Sequence, residues 1–167
     1  NFLDISESAG LTKQEGWATG VSFADVNQDG WLDIYICRAG PYGPPFNSKS
    51  RKNLLYINQH NLTFTEEAES YGLADAGMST QAIFFDFDKD GDLDCLVGNE
   101  NFLYGIPPLK FFQTIEKNKA LLYDSSCHLY LNEGGKFQDI TETAGILRAS
   151  FSLGIMVSDL NEDGYRL

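Results

Sequence analysis

Long apolar runs and basic residues are both scarce in this sequence. No apolar run approaches the ~18 residues of a transmembrane helix, so no membrane span is predicted. Lysine and arginine number 12, whereas aspartate and glutamate number 24, and the formal net charge is −12. Because nucleic acids and anionic membrane surfaces bind basic patches, neither is an expected partner. Much of the acidity lies in a few short loops, which indicates bound cations.

Cysteine and histidine are also few. The three cysteines, Cys37, Cys95 and Cys127, contain no C-x-x-C pair, and their odd number does not suit a disulfide framework. We expect small buried residues rather than zinc ligands. His60 and His128 are the only histidines. No signal peptide is visible, but the sequence opens inside a repeat, so a targeting segment could lie upstream.

Three segments of the chain superimpose on one another. Each runs from a phenylalanine to a glycine eight residues later, and the three pairs are Phe2 and Gly10, Phe64 and Gly72, and Phe137 and Gly145. The first aspartate of an acidic loop follows these glycines after 15, 14 and 14 residues. Successive acidic loops are 61 and then 73 residues apart. These spacings predict an internal repeat.

Each full repeat is predicted to contain four strands. Residues 17–24, 80–85 and 152–158 enter the acidic loops and are rich in small, aromatic and β-branched residues. Residues 34–37 and 95–97 leave the first two loops as short apolar runs. The pattern Leu-Tyr-x-Asn at 55–58 and 129–132 reaches the repeat phenylalanine across a polar turn, which is typical of a hairpin.

Four strands in ~60 residues correspond to one blade of a β-propeller. The predicted fold is therefore all-β, with about two and a half four-stranded blades in a single segment spanning residues 1–167. A closed propeller needs at least ~4 blades, so a propeller fragment is expected. Residues 99–126 are interpreted as an insertion with a helical stretch over 111–123, and residues 39–52 as plain loop.

The acidic loops have the chemistry of calcium sites. Positions 1, 3, 5 and 9 of loops 25–33 and 86–94 carry oxygen side chains, and the glycine at position 6 supplies a positive φ. Calcium takes roughly six to eight oxygen ligands, which alternate positions of a tightly curled loop and the position 7 carbonyl can supply. The predicted ligands are Asp25, Asn27, Asp29, Trp31 and Asp33, and Asp86, Asp88, Asp90, Asp92 and Asp94.

A third loop, 159–167, matches these two only in part. It offers Asp159, Asn161, Asp163 and the carbonyl of Tyr165, but a leucine stands at position 9. We therefore expect an incomplete calcium site in this loop.

Other interpretations of the loops fit less well. A lone Asp-Gly is commonly a hairpin turn, but two loops with matching acidic positions favour a cation that relieves carboxylate repulsion. Magnesium prefers a smaller octahedron, and zinc prefers histidine or cysteine. An EF-hand needs flanking helices and a glutamate at position 12, where these loops have Ile36 and Val97.

These motifs together resemble a known family. Residues 20–30 (GVSFADVNQDG) and 154–164 (GIMVSDLNEDG) resemble the signature of FG-GAP or VCBS repeats in integrin-α-like β-propellers. The elements Phe-x-Asp-Ile-[Ser/Thr]-Glu-x-Ala-Gly and Leu-Tyr-x-Asn are similar to those of the ASPIC/UnbV group, whose members are similar to cartilage acidic protein. The resemblance implies a calcium-stabilised propeller that is extracellular, periplasmic or on the outer cell surface.

The expected function is a non-enzymatic, calcium-binding adhesion or ligand-binding module whose ligand is a protein or a glycan. No catalytic residue is predicted, and Ca²⁺ is the expected cofactor. One alternative is a segment of a calcium-dependent polysaccharide-active enzyme, which would need an acid or base beside the metal. His60 and His128 lie near the hairpins, where we expect structural or exposed side chains. Another alternative is a self-assembling fragment in which other copies of the chain complete the propeller.

Overall fold

The computed structural model describes residues 1–11, 16–40, 48–101, 103, 105–115, 117–162 and 164. Its strands form two four-stranded antiparallel sheets, each ordered as its strands follow in the chain. Sheet 1 contains β1 (Trp17–Ala24), β2 (Asp33–Ala39), β3 (Leu54–Asn58) and β4 (Phe64–Glu66). Sheet 2 contains β5 (Met78–Phe85), β6 (Asp94–Glu100), β7 (His128–Asn132) and β8 (Phe137–Asp139). The all-β prediction is thus confirmed.

Helices are short and lie outside the sheets. A helical turn, α1 (Ala68–Tyr71), follows β4, and α2 (Pro108–Ile115) and α3 (Lys119–Asp124) lie between β6 and β7. The helical stretch predicted over 111–123 is thus confirmed in part, since it is divided between two helices and the first begins earlier, at Pro108. The prediction of plain loop before β3 was wrong for Ser48–Arg51, which forms a short 3-10 helix. Among the helices that the structure describes, none has the length and apolar character needed to cross a membrane.

The strand predicted over residues 152–158 is not present. β1 and β5 are strands because each pairs with the strand that follows its acidic loop. The described part of the chain contains no strand after the third loop, so residues 152–158 lack that partner. Three hydrogen bonds hold these residues against sheet 2 instead: from Thr80 Oγ1 to the Ser152 carbonyl (2.8 Å), from Ser152 N to the Asn99 carbonyl (3.4 Å) and from Ile155 N to Gln81 Oε1 (3.1 Å).

The two sheets have the same register and therefore equivalent faces. In sheet 1 the partners Val21–Ile36 and Phe23–Ile34 correspond to Ala82–Val97 and Phe84–Cys95 in sheet 2. We call the surface that includes these residues the front face. The front face comprises Val21, Phe23, Ile34, Ile36, Leu54 and Tyr56 in sheet 1, and Ala82, Phe84, Cys95, Val97, His128 and Tyr130 in sheet 2.

The opposite surface of each sheet is its back face. It includes Tyr35, Cys37, Leu55 and Ile57 in sheet 1, and Ile83, Leu96, Leu129 and Leu131 in sheet 2. The core lies where the back face of sheet 1 packs against the front face of sheet 2. There the Tyr35 ring meets Phe84 edge to face, with 5.6 Å between centroids. Removing these apolar side chains from water is the main favourable contribution to folding.

Contacts at equivalent positions recur along the chain. Thr19 Oγ1 donates to the carbonyl of Cys37 (3.1 Å) or Ser79 (2.5 Å), and Thr80 Oγ1 has the corresponding acceptors in Gly98 (3.1 Å) and Ser152 (2.8 Å). β1 therefore lies against β5 in the same way as β5 lies against residues 152–158.

The glycine of the repeat motif lies where the chain passes close to the next sheet. A Cβ atom on Gly10 would lie 2.7 Å from the Phe64 carbonyl oxygen, and one on Gly72 would lie 2.3 Å from that of Phe137. Both glycines also have φ near +80° (80° and 84°), a region that other residues rarely adopt. Glycine is required at these positions for both reasons.

The expected burial of the cysteines is confirmed at Cys37 and Cys95 but not at Cys127. All three cysteines are free; Cys37 and Cys95 are fully buried, and Cys127 is half-buried. Burial raises the pKa of the Cys37 thiol to about 12, so this side chain stays a neutral apolar filler of the core.

Candidate metal centre

The second acidic loop brings three carboxylates together. Asp86, Asp88 and Asp94 each offer one oxygen atom, and these atoms all lie within 4.8 Å of one another. Two oxygens bound to one calcium ion at roughly 2.3–2.6 Å can be at most about 5 Å apart. The three carboxylates therefore fit a single calcium ion. Asp90, also predicted as a ligand, lies outside this group, whereas the ligand predicted at Asp92 is its backbone carbonyl and not its carboxylate.

The first and ninth positions also hold the loop closed. Both oxygens of Asp94 accept backbone hydrogen bonds, from Asn132 N (2.9 Å) and Phe87 N (3.0 Å), and Asp94 is fully buried. Asp86 accepts from Lys89 N (2.7 Å) and Gly91 N (3.2 Å). The strand ends and the hairpin of sheet 2 thus fix two members of the group before any ion binds.

The electrostatics of the second loop favour a cation. Burial raises the pKa of Asp94, and the charges of Asp88 and Asp92 raise it further. Burial likewise raises the pKa of Asp92, to which Asp90 and Asp88 also contribute. The buried Oδ1 of Asp92 has no hydrogen-bond partner among the described residues. A divalent ion would stabilise the charged form of these carboxylates and offset the repulsion between them.

The first loop has a similar backbone but a different arrangement of carboxylates. Asp33 accepts from Asn58 N (2.8 Å) and Val26 N (3.1 Å), as Asp94 does in the second loop. Asp25 accepts from Asp29 N (3.0 Å) and Gly30 N (2.8 Å). However, the positions of Asp86, Asp88 and Asp94 are held in the first loop by Asp25, Asn27 and Asp33, so one of the three carboxylates is replaced by an amide.

The side chain of Asp29 is turned towards the β3–β4 turn. Its Oδ2 lies 2.9 Å from His60 Nε2 and accepts from Asn27 Nδ2 at 3.0 Å. The His60 ring stacks on Trp31, with 5.2 Å between centroids and an interplanar angle of 20°. Sequence reasoning expected an exposed or structural His60 but missed this contact, because 31 residues separate the two side chains.

The third loop keeps part of the same geometry. Asp159 Oδ2 accepts from Gly164 N at 2.8 Å, as the first-position aspartates of the other loops accept from Gly30 and Gly91. Asp159 Oδ1 is buried and has no hydrogen-bond partner among the described residues. Asn161 lies within the described part of the chain, whereas the predicted ligands Asp163 and Tyr165 lie outside it.

All three loops share an unusual backbone at two positions. The glycines at position 6, Gly30, Gly91 and Gly164, have φ of 88°, 98° and 84°, as the sequence predicts. Position 4 is also left-handed, although its residues are Gln28, Lys89 and Glu162. No residue type at position 4 signals this conformation, so the sequence could not predict it. Strain of this kind is typical of binding sites.

Neighbouring loops contact one another through position 4. Gln28 Nε2 donates to the Gly91 carbonyl at 2.8 Å. In the corresponding place of the next pair, Lys89 Nζ lies 3.0 Å from the point where a Cβ atom on Gly164 would be. The position 4 side chain of one loop thus reaches the position 6 residue of the next.

A polar cleft of about 500 Å³ lies beside the first two loops. Its lining includes Asn27 and Gln28 of the first loop, Tyr71 of α1, Asp92 of the second loop and Lys136. The Lys136 ammonium lies 5.3 Å from the centroid of the Tyr71 ring. This combination of amide, carboxylate, ammonium and aromatic groups can bind a polar ligand.

A second concave region, of about 410 Å³, contains the buried pair of Asp75 and His128. Both side chains are buried, and His128 Nδ1 lies 2.5 Å from Asp75 Oδ2. Tyr123 of α3 stacks on the His128 ring and hydrogen bonds to Asp139. Asp75 was not predicted, because it lies 53 residues from His128 and belongs to no motif.

No protein-family model matches this chain, and a search of curated proteins finds no match.

Proposed function

We infer that this chain is a calcium-binding module built of propeller-type blades, acting outside the cytoplasm as a non-enzymatic adhesion or ligand-binding unit. The observation that carries the proposal is the convergence of Asp86, Asp88 and Asp94 within 4.8 Å. The resemblance of the loop motifs to FG-GAP and VCBS repeats supports the same reading.

Two features support the propeller-type arrangement. The two sheets have the same strand order and the same register. Each also has a bulge near the start of its first strand, in β1 between Ala18 and Gly20 and in β5 between Ser79 and Gln81. The contacts of Thr19 and Gly10 recur at Thr80 and Gly72, so one geometric step relates successive segments. Repetition of such a step is the principle of a propeller.

The second loop is the strongest candidate for calcium. Asp86, Asp88 and Asp94 would supply carboxylate oxygens, and the bound ion would neutralise part of the crowded charge. The first loop has an amide, Asn27, at the position of Asp88 and so offers one carboxylate fewer. We therefore expect the second loop to have the higher affinity.

Calcium titration by calorimetry, with thermal unfolding in calcium and in chelator, tests this proposal. We expect calcium to raise the unfolding temperature and magnesium to raise it less, because the ion binds the folded state. Asp88→Asn should weaken calcium binding at least tenfold. Glu133→Gln, which removes the same charge from an exposed position outside the loops, should leave it unchanged. Identical unfolding curves in calcium and chelator would rule the calcium site out.

The proposed ligand site is the cleft beside the two loops. Its lining includes Asn27 and Asp92, so ion binding in the loops would fix this part of the cleft. We expect a protein or glycan ligand to bind in calcium and to dissociate in chelator. Tyr71→Ala should weaken that binding without changing the calcium titration. Glycan and protein binding arrays in calcium and in chelator provide the measurement.

A further inference from the structure

The turn between β3 and β4 contains an acceptor tripeptide for N-linked glycosylation. Asn61, Leu62 and Thr63 have the pattern Asn-x-Thr, in which the middle residue is not proline. No other Asn-x-Ser or Asn-x-Thr tripeptide occurs in the sequence. The equivalent turn of sheet 2, residues 133–136, contains no asparagine. The tripeptide is therefore a feature of one hairpin and not of the repeat.

The structure places this tripeptide at an exposed hairpin tip. Asn61 is exposed, and Leu62 is 77% exposed. Gln59 N donates to the Thr63 carbonyl at 2.9 Å and closes the base of the turn. N-linked sugars are bulky and project from surface loops. A sugar on Asn61 would extend into solvent without displacing any strand of sheet 1.

Thr63 holds the Asn61 side chain in one orientation. Asn61 Oδ1 accepts hydrogen bonds from Thr63 N (3.0 Å) and from Thr63 Oγ1 (2.6 Å). Within the part of the chain that the structure describes, Asn61 Nδ2 donates no hydrogen bond. The acceptor nitrogen is therefore free, while the hydroxyl that defines the tripeptide contacts the same carboxamide. Both bonds join residues two apart, so they form locally and do not require the two sheets to pack.

The surface beside the turn is apolar. Trp31 and Leu32 are 50% and 57% exposed, and the His60 ring, next to Asn61 in the chain, stacks on Trp31. Exposed apolar surface of this kind favours association with other molecules. Because N-linked sugars are solubilising, a sugar on Asn61 would shield this surface from such contacts.

We propose that Asn61 carries an N-linked oligosaccharide. The inference rests on the proposed location outside the cytoplasm, because the transferases of this reaction modify exported chains. The donor is an oligosaccharide on a lipid pyrophosphate. Asn61 Nδ2 forms a bond to the anomeric carbon of the sugar, and the bond from that carbon to the phosphate oxygen breaks. The lipid pyrophosphate leaves with the electron pair, and the amide proton passes to a base of the transferase.

Intact mass spectrometry of the full chain tests the proposal. Animal cells express the chain behind a cleavable signal peptide, and both the secreted chain and any chain retained in the secretory compartment are measured. We expect a mass above the 18.6 kDa of the unmodified chain, and peptide N-glycosidase should remove the excess. This enzyme leaves an aspartate where the sugar was attached, and peptide mapping should find it at position 61. A chain of 18.6 kDa without N-linked sugar would overturn the proposal.

Two variants of Thr63 form a matched pair. Thr63→Val keeps the β-branched shape but removes the hydroxyl, so it should abolish the modification. Thr63→Ser keeps a hydroxyl and should retain the sugar. Asn61→Gln should also give the unmodified mass. An N-linked sugar that persists in Asn61→Gln would overturn the assignment, because it would lie on another residue.

Calcium titration of the same secreted chain separates this inference from the proposed function. Calcium binding by a chain that carries no sugar would overturn the glycosylation and leave the calcium site intact. A sugar on a chain that does not bind calcium would support the glycosylation and overturn the calcium site.

Discussion

The imidazole of His128 lies within hydrogen-bond distance of Asp75 and of the carbonyl of Tyr123 at the same time. Nε2 lies 2.9 Å from the Tyr123 oxygen, which can only accept, so Nε2 carries a proton. Nδ1 lies 2.5 Å from Asp75 Oδ2, which also accepts from Tyr130 Oη at 2.9 Å. The geometry suits an imidazolium paired with a carboxylate. This buried ion pair joins α3 and β7 to the segment between the two sheets.

Removing one member of the pair should be strongly destabilising. His128→Gln leaves the Asp75 carboxylate buried without its cation, and breaking a buried ion pair costs about 3 to 5 kcal/mol. His60→Gln is the matched control, since the His60 side chain is 47% exposed, and should cost less than about 1 kcal/mol. Urea unfolding of both variants measures the difference. Equal losses of stability would contradict the ion-pair assignment.

The pair also predicts how stability depends on pH. Burial lowers the pKa of His128, but the hydrogen bond and charge of Asp75 raise it more, so the pKa lies above its ordinary value. Burial raises the pKa of Asp75, but His128 lowers it more. Burial keeps the pKa values of Tyr123 and Tyr130 high, so both stay neutral in this range.

The directions of these pKa shifts define the pH range in which the ion pair stabilises the folded state most. The contribution of His128 is complete below its unfolded pKa of about 6.5 and is lost as pH rises through the raised folded value. The contribution of Asp75 is present above its unfolded pKa of about 3.9 and is lost as pH falls through the lowered folded value. The wild type should exceed His128→Gln most between about pH 4 and 6.5. A difference that grows above pH 8 would contradict this.

Coupling between the first two loops should depend on Gln28. Its hydrogen bond to the Gly91 carbonyl contributes about 0.5 to 1.5 kcal/mol. Gln28→Ala should therefore lower calcium affinity in the second loop several-fold. Gln59→Ala, in the neighbouring turn, removes an equivalent amide that does not reach the second loop and should leave the affinity unchanged. Calorimetric titration of both variants provides the comparison.

Trp31 should report calcium binding in the first loop. Asp29 can turn towards an ion only by leaving His60, and His60 stacks on Trp31. In Trp17→Phe, Trp31 is the only tryptophan. Calcium should change its fluorescence, and His60→Ala in the same background should remove most of the change. If calorimetry detects two bound ions with no change in fluorescence, the link between Asp29 and the first site is wrong.

Two glycines of the same motif should differ in their tolerance of alanine. Gly72 and Gly145 both have positive φ (84° and 75°), so alanine costs each about 1 to 2 kcal/mol in backbone strain. A Cβ on Gly72 would also lie 2.3 Å from the Phe137 carbonyl, whereas one on Gly145 meets nothing within 4 Å. Gly72→Ala should lower the unfolding temperature clearly more than Gly145→Ala. Similar losses would show that the backbone at Phe137 relaxes freely.

The parts of the fold that local patterns specify could be predicted. The strands around the acidic loops follow from β-branched and aromatic runs, and Trp17–Ala24 was predicted with its observed bounds. Asp86, Asp88 and Asp94 lie in one loop, so their spacing in the sequence was enough to predict that their side chains lie close together. The predicted strand over 152–158 was wrong because a strand requires a partner, which no residue within the segment can supply.

Contacts between distant segments could not be predicted. Asp29 and His60 meet because the β3–β4 turn folds over the first loop, and Asp75 and His128 meet only after the two sheets pack. The left-handed backbone at Gln28 and Lys89 is likewise imposed by the loop rather than by residue type. Each of these features depends on tertiary structure, about which the sequence pattern carries no local signal.

The contact between position 4 of one loop and position 6 of the next makes the loops a one-dimensional lattice with nearest-neighbour coupling. In such a lattice, an ion bound at one site acts directly on the adjacent site and only indirectly on more distant ones. The middle loop has two neighbours, through Gln28 and through Lys89 at Gly164, whereas each outer loop described has one. Occupation should begin at the middle loop, where three carboxylates converge, and its effect should reach the outer loops through these contacts.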